Sequence, residues 1–161
     1  MKRTLYAMGG ILLALFLSGS FAWAGETPYT SAAMEKKLRV FRQKVGAVFI
    51  LPQSLGPHPG ASYVLSRARE LGLSEAQIRR IRAIRRRMVT RSLRQFERID
   101  TLRARYLAMM DHRNPPLDRA RKLYMQLTRL MAKATFDHLE GHIAVGRVLT
   151  GEQWRRLHGQ P

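Results

Sequence analysis

Two short segments, Leu73-Ser74-Glu75-Ala76-Gln77 and Leu149-Thr150-Gly151-Glu152-Gln153, each carry the chemistry of a helix start. The hydroxyls of Ser74 and Thr150 can accept from the backbone N–H three residues on, while the Gln77 and Gln153 side chains reach back to the cap's own N–H. Leu73 with Ile78, and Leu149 with Trp154, can close as hydrophobic staples around these capping boxes. Each pattern fixes where a helix begins, and the interval between them has the length of one helical hairpin.

At about 100° per residue, Ile78, Ile81, Ile84, Met88, Phe96, Ile99, Leu102, Tyr106 and Met110 fall in one stripe after the first box. Arg79, Arg80, Arg86, Arg87, Arg91, Arg94, Arg98 and Arg105 lie outside it. Asn114-Pro115-Pro116 forces a turn. A second long helix is predicted over residues 117–148, with Ala120, Leu123, Tyr124, Leu127, Leu130, Met131, Ala134, Val145 and Leu149 on one arc. A short helix over 62–72 precedes the first box, and another with Trp154 and Leu157 follows the second. The fold expected is all-α: a long antiparallel hairpin with short flanking helices. Two helices of about 36 residues, each roughly 54 Å long, cannot cover their own apolar stripes, so a partner is expected to do so.

The paired motifs resemble the LTxxQ motif of the Spy/CpxP family of small helical periplasmic proteins, whose relatives include ZraP-like zinc-binding proteins and CnrX-like metal sensors. The resemblance covers roughly residues 63–157. The first copy has Ser74 where the motif has Thr, and Gly151 stands where Pro is common. The resemblance implies a cradle-shaped antiparallel dimer, an envelope-stress role, and binding of unfolded periplasmic proteins or of a membrane-bound stress sensor, without ATP or a required cofactor.

Lys2 and Arg3, an apolar run over residues 5–17 and the small-residue pattern Ala22-Trp23-Ala24 read as an export signal over residues 1–24. The alternative is an uncleaved membrane anchor, for which the apolar run is short. Cleavage leaves 137 residues, with a basic amphipathic helix and a Pro/Gly linker over 25–60 and the helical domain over 61–161. The net charge of +18 becomes +16 once the leader is removed. Such a surface favours anionic partners, and export argues against nucleic acid. There is no cysteine, which excludes disulfides and thiolate chemistry. Nucleophile motifs, phosphate loops and a convincing carboxylate pair are also missing, so no enzyme is expected.

In the segment before the linker, Met34, Leu38, Phe41 and Val45 recur at helical spacing among Lys36, Lys37, Arg39, Arg42 and Lys44. A packing arm on the main domain is the simpler reading, and contact with a membrane surface the sharper one. Gly46 is taken as the end of this helix, with Val48, Phe49, Ile50 and Leu51 docking elsewhere.

His138 and His142 project from one face, one turn apart, inside the apolar arc. They are either interior histidines satisfied by hydrogen bonds or half of a site for Zn, Cu or Ni. Folding the hairpin about Arg113 sets Met88 opposite His138, where a thioether favours Cu(I). It also sets Arg85 near His142, where a guanidinium would oppose a dication. Glu70 and His112 are weaker ligand candidates, and nothing favours His58 or His158. Met88, Met109, Met110, Met125 and Met131 lack a tight cluster and read as core fillers. Arg85 and Arg103 fall toward the apolar side of their helix. They either snorkel or line a client-binding concave face.

Overall fold

A computed structural model describes residues 30–49 and 58–159. The export signal, Ile50 and Leu51 lie outside the described residues. Five helices follow in order: α1 (Ala32–Val48), α2 (Ala61–Ser66), α3 (Glu75–Met110), α4 (Leu117–Gly146) and α5 (Gly151–Leu157). The described residues contain no strand, and the chain is all-α, as expected. None of these helices is long and apolar enough to cross a membrane.

The longest elements, α3 with 36 residues and α4 with 30, pair antiparallel. Tyr106 and Tyr124 face each other across the pair with ring centroids 5.9 Å apart, and Gln77 bonds Gln153 at the far end. Both pairs centre the turn on Pro115. The expectation of a fold about Arg113 is therefore two residues early on the axis, which displaces every cross-hairpin pairing by about one helical turn. Prolines 115 and 116 set the turn themselves, because α4 begins immediately after them with Pro116 as its N-cap.

α2 is shorter than expected. Its last turn loosens over residues 67–72 and ends in a Schellman arrangement: Leu73 N–H donates to the Ala68 carbonyl at 2.9 Å, and Gly72 N–H to Arg69 at 3.1 Å. Gly72 has φ +62°, a left-handed conformation that residues with a Cβ adopt at a cost. Ser74 follows as the next N-cap, so the chain changes direction within two residues.

α1 runs through Gly46 to Val48, three residues beyond the end expected near Val45. No side chain stands near Gly46 to demand its small size. Ser31 caps the helix, accepting from Met34 N–H at 3.3 Å. The packing-arm reading holds: Met34, Leu38, Phe41, Val48 and Phe49 share one core with Val89, Phe96, Ile99, Leu127 and Ala134 of the hairpin. Lys44 of α1 also pairs with Asp100 of α3. Much of the apolar stripe expected to need a partner is thus covered by α1 itself. A second core gathers α2, the start of α3, the end of α4 and α5 around Val64, Leu65, Leu71, Ile81 and Val145.

Candidate functional site

Both capping boxes form in full. Ser74 Oγ accepts from Gln77 N–H and Thr150 Oγ1 from Gln153 N–H, each at 3.2 Å, while each glutamine carbonyl accepts from its cap's N–H at 2.9 Å. The two motifs also meet. Gln77 Nε2 donates to Gln153 Oε1 at 2.7 Å and to the Val148 carbonyl at 2.9 Å. Gln153 Nε2 donates to the Gly72 carbonyl at 3.3 Å. Each glutamine therefore caps its own helix with its oxygen and ties the other motif with its nitrogen. A glutamine has both functions on one planar group, which aspartate or glutamate lacks.

The histidine pair sits one core layer further up. His138 is 6% exposed, its ring packed against Phe41 (centroids 5.1 Å apart) and Phe49 (4.8 Å). Its Nε2 lies 3.0 Å from His142 Nε2, and His142 Nδ1 lies 3.0 Å from the His58 carbonyl. A carbonyl only accepts, so His142 carries its proton on Nδ1 and presents a bare Nε2. His138 must then donate from Nε2, leaving its Nδ1 as an unprotonated nitrogen. That atom is buried and has no hydrogen-bond partner. The arrangement is a one-way relay, His138 to His142 to the His58 carbonyl, that is satisfied only while both rings are neutral. Burial, reinforced by the neighbouring His142, pushes His138 down to about 3, and burial likewise lowers His142.

Metal binding would use the same two Nε2 atoms. Their 3.0 Å separation is compatible with two ligands about 2.0 Å from one ion. Among the described residues no cluster of three His, Asp or Glu side chains surrounds them. Met88 does not stand opposite His138 as expected. It packs over Gly141, where an added Cβ would lie 2.9 Å from Met88 Cγ, and that close approach is what the glycine permits. Glu70 is paired with Arg67 on the surface, and this guanidinium lowers its carboxyl. His112 is exposed at the turn. His58 lies beside Trp154, with centroids 5.5 Å apart, as does His158 at 4.3 Å.

The two arginines separate. Arg85 is 3% exposed, and its Nη2 donates to Thr30 Oγ1 at 2.8 Å; it is enclosed by the segment leading into α1 and does not line an exposed face. Burial pushes its guanidinium down from the usual range. Arg103 is exposed, 3.9 Å from Asp100. The eight arginines placed outside the stripe are all exposed.

Sequence reasoning missed the polar link between the hairpin helices. Gln95 Nε2 donates to Asp137 Oδ2 at 2.6 Å, and Lys133 bonds Asp137 at 2.9 Å. Burial raises the Asp137 carboxyl, but these two donors outweigh it and the net shift is downward. It also missed a second apolar arc on α4. Met125 (46% exposed) and Phe136 (58%) fall on one side of α4, opposite the buried arc of Ala120, Leu127, Ala134 and His138, and Arg129 is exposed beside them; Tyr124 (53%) borders the buried arc and faces Tyr106 of α3. The spacing of eleven residues puts Met125 and Phe136 on one side, but that side was visible only once the buried one was known.

Comparison with family models, curated proteins and solved structures gave no match to this chain.

Proposed function

We propose that this protein is an exported, ATP-independent binder of unfolded or damaged periplasmic proteins, acting as a homodimer in the manner its resemblance to the Spy/CpxP family implies. The observation that carries the reading is the exposed apolar pair Met125 and Phe136 on one side of α4, with Arg129 exposed between them. Large apolar side chains left in water on a strongly basic surface suit loose, reversible capture of an unfolded chain. Charge speeds the encounter, and apolar contact retains the client. Arg103, exposed on α3, stays open to a client; Arg85, buried, acts on stability instead.

The test is suppression of aggregation by residues 25–161 without nucleotide. The parent should protect, and Met125→Ser with Phe136→Ser should protect several-fold less at equal concentration. No suppression at a several-fold excess over client would end the chaperone reading.

A second reading, a periplasmic metal sensor or resistance protein, is favoured by the convergence of the two histidine Nε2 atoms. Calorimetric titration with Zn²⁺, Cu⁺ and Ni²⁺ tests it. Stoichiometric binding that survives His138→Ala with His142→Ala would exclude this pair as the site.

A further inference from the structure

The basic amphipathic helix that sequence alone offers as a membrane contact is α1, and its apolar face is spent inside the core. The turn end of the hairpin has the opposite character. Inside it, Ala120 and Leu123 are buried and the Tyr106–Tyr124 pair closes the two helices together. Outside it, Leu107 (58% exposed), Met110 (39%) and Leu117 (67%) remain in water. Leu107 and Met110 line the same shallow depression with Ala108 and Asp111.

Charge surrounds these residues. Residues 101–130 hold seven arginines and lysines against two aspartates, a net +5, and all nine of these side chains are exposed. Arg105, Arg113 and Arg121 stand within a few residues of the apolar group on either side of Pro115 and Pro116.

We infer that the turn end of the hairpin docks on an anionic lipid surface. Leucine and methionine at a protruding end can enter the boundary between headgroups and acyl chains, while arginines around them reach back to the phosphates with their stems still packed on apolar surface. A concave groove would suit a peptide, and a flat stripe a second helix. Here the apolar residues lie at the end of a two-helix rod, among side chains of net positive charge, which matches a planar, negatively charged, partly apolar partner. The apolar faces of α1 and of Met125 and Phe136 on α4 are not needed for it.

Flotation of residues 25–161 with vesicles of phosphatidylglycerol mixed into phosphatidylcholine, against phosphatidylcholine alone, tests the inference. Binding is expected only with the anionic vesicles. Each basic residue near such a surface strengthens partition about fivefold, so Arg113→Gln with Arg121→Gln should weaken it roughly 25-fold. Leu107→Ser should weaken it about tenfold, whereas Phe136→Ser should leave it unchanged. Leu117→Trp, in an otherwise native sequence, gives a readout independent of any folding defect: its emission should shift to the blue on adding anionic vesicles. No binding to anionic vesicles overturns the proposal. So does binding indifferent to the turn-end substitutions, which would assign it to the general basic surface. A Leu117→Trp emission already blue without lipid, in a protein that sediments as a dimer, also overturns it by showing that a second copy covers the turn end.

Discussion

Gln77 Nε2 donates to Gln153 Oε1 at 2.7 Å, so two motifs that each start a helix also hold each other. Without this contact, capping explains both motifs separately. With it, their presence as a pair has a physical reason. Gln77→Ala and Gln153→Ala should each cost about 1–2 kcal/mol, since each removes a cap bond and a cross-motif bond. The double substitution should cost measurably less than the two together, by at least about 0.5 kcal/mol, because the shared bond is lost only once. Chemical denaturation of the four proteins measures the coupling, and strict additivity would show that the motifs act independently.

The hydroxyl caps should behave differently. Ser74→Ala and Thr150→Ala should each lower stability by about 1 kcal/mol and be additive, as their hydroxyls touch only their own helices. The same denaturation series checks this.

Acid should unfold the protein through the histidine relay. An unfolded histidine takes up its proton near pH 6.5, whereas His138 in the fold does so only near 3. Between these values the unfolded chain binds more protons, so stability is complete above about pH 6.5 and falls as pH drops toward 3. The slope is at most about 1.4 kcal/mol per pH unit for this group. His138→Phe keeps an aromatic ring among Phe41 and Phe49 and removes the proton site, so its stability should vary less with pH over that window. Thermal unfolding from pH 7.5 to 4 compares the two. An equal slope in both proteins would place the acid sensitivity elsewhere.

Two glycines should respond in opposite directions to one substitution. Gly46 lies exposed within α1 with nothing near its missing Cβ, so Gly46→Ala should stabilise by up to about 1 kcal/mol. Gly141→Ala adds a methyl against Met88, and overpacking of about 1–3 kcal/mol outweighs the same gain in helix propensity. Adding Met88→Ala should relieve the clash. Melting temperatures of the parent and these three variants decide it.

The fold was legible because its determinants are local. Capping boxes, the Pro115–Pro116 turn and the 3.6-residue stripe name α3, α4 and α5 without reference to any long-range contact. The site was less so. Register across a hairpin depends on where the turn pivots, and a two-residue error there set Met88 against His138, whereas it packs over Gly141. The environment of the histidines depends on α1, whose Phe41 and Phe49 reach His138 from nearly a hundred residues away in sequence. Periodicity can tell that Phe41 is apolar, but not which surface it seals. Arg85 illustrates the same limit, since its position on the wheel fits equally a snorkelling side chain and a residue enclosed beneath another helix.

Residues 76 apart must meet for the Gln77–Gln153 bond to form, whereas Tyr106 and Tyr124 are brought together by the turn itself. Closing the larger loop costs more chain entropy, though only about 0.6 kcal/mol for each doubling of length. Assembly from the turn end toward the base is therefore the inexpensive order, with the glutamine clasp closing last. A hairpin slipped by one helical turn could still bury most of its leucines and isoleucines, yet it would leave both carboxamides facing the wrong groups. The clasp thus serves as an end-stop for alignment: an indifferent apolar seam acquires a single correct setting at the point farthest from where pairing begins.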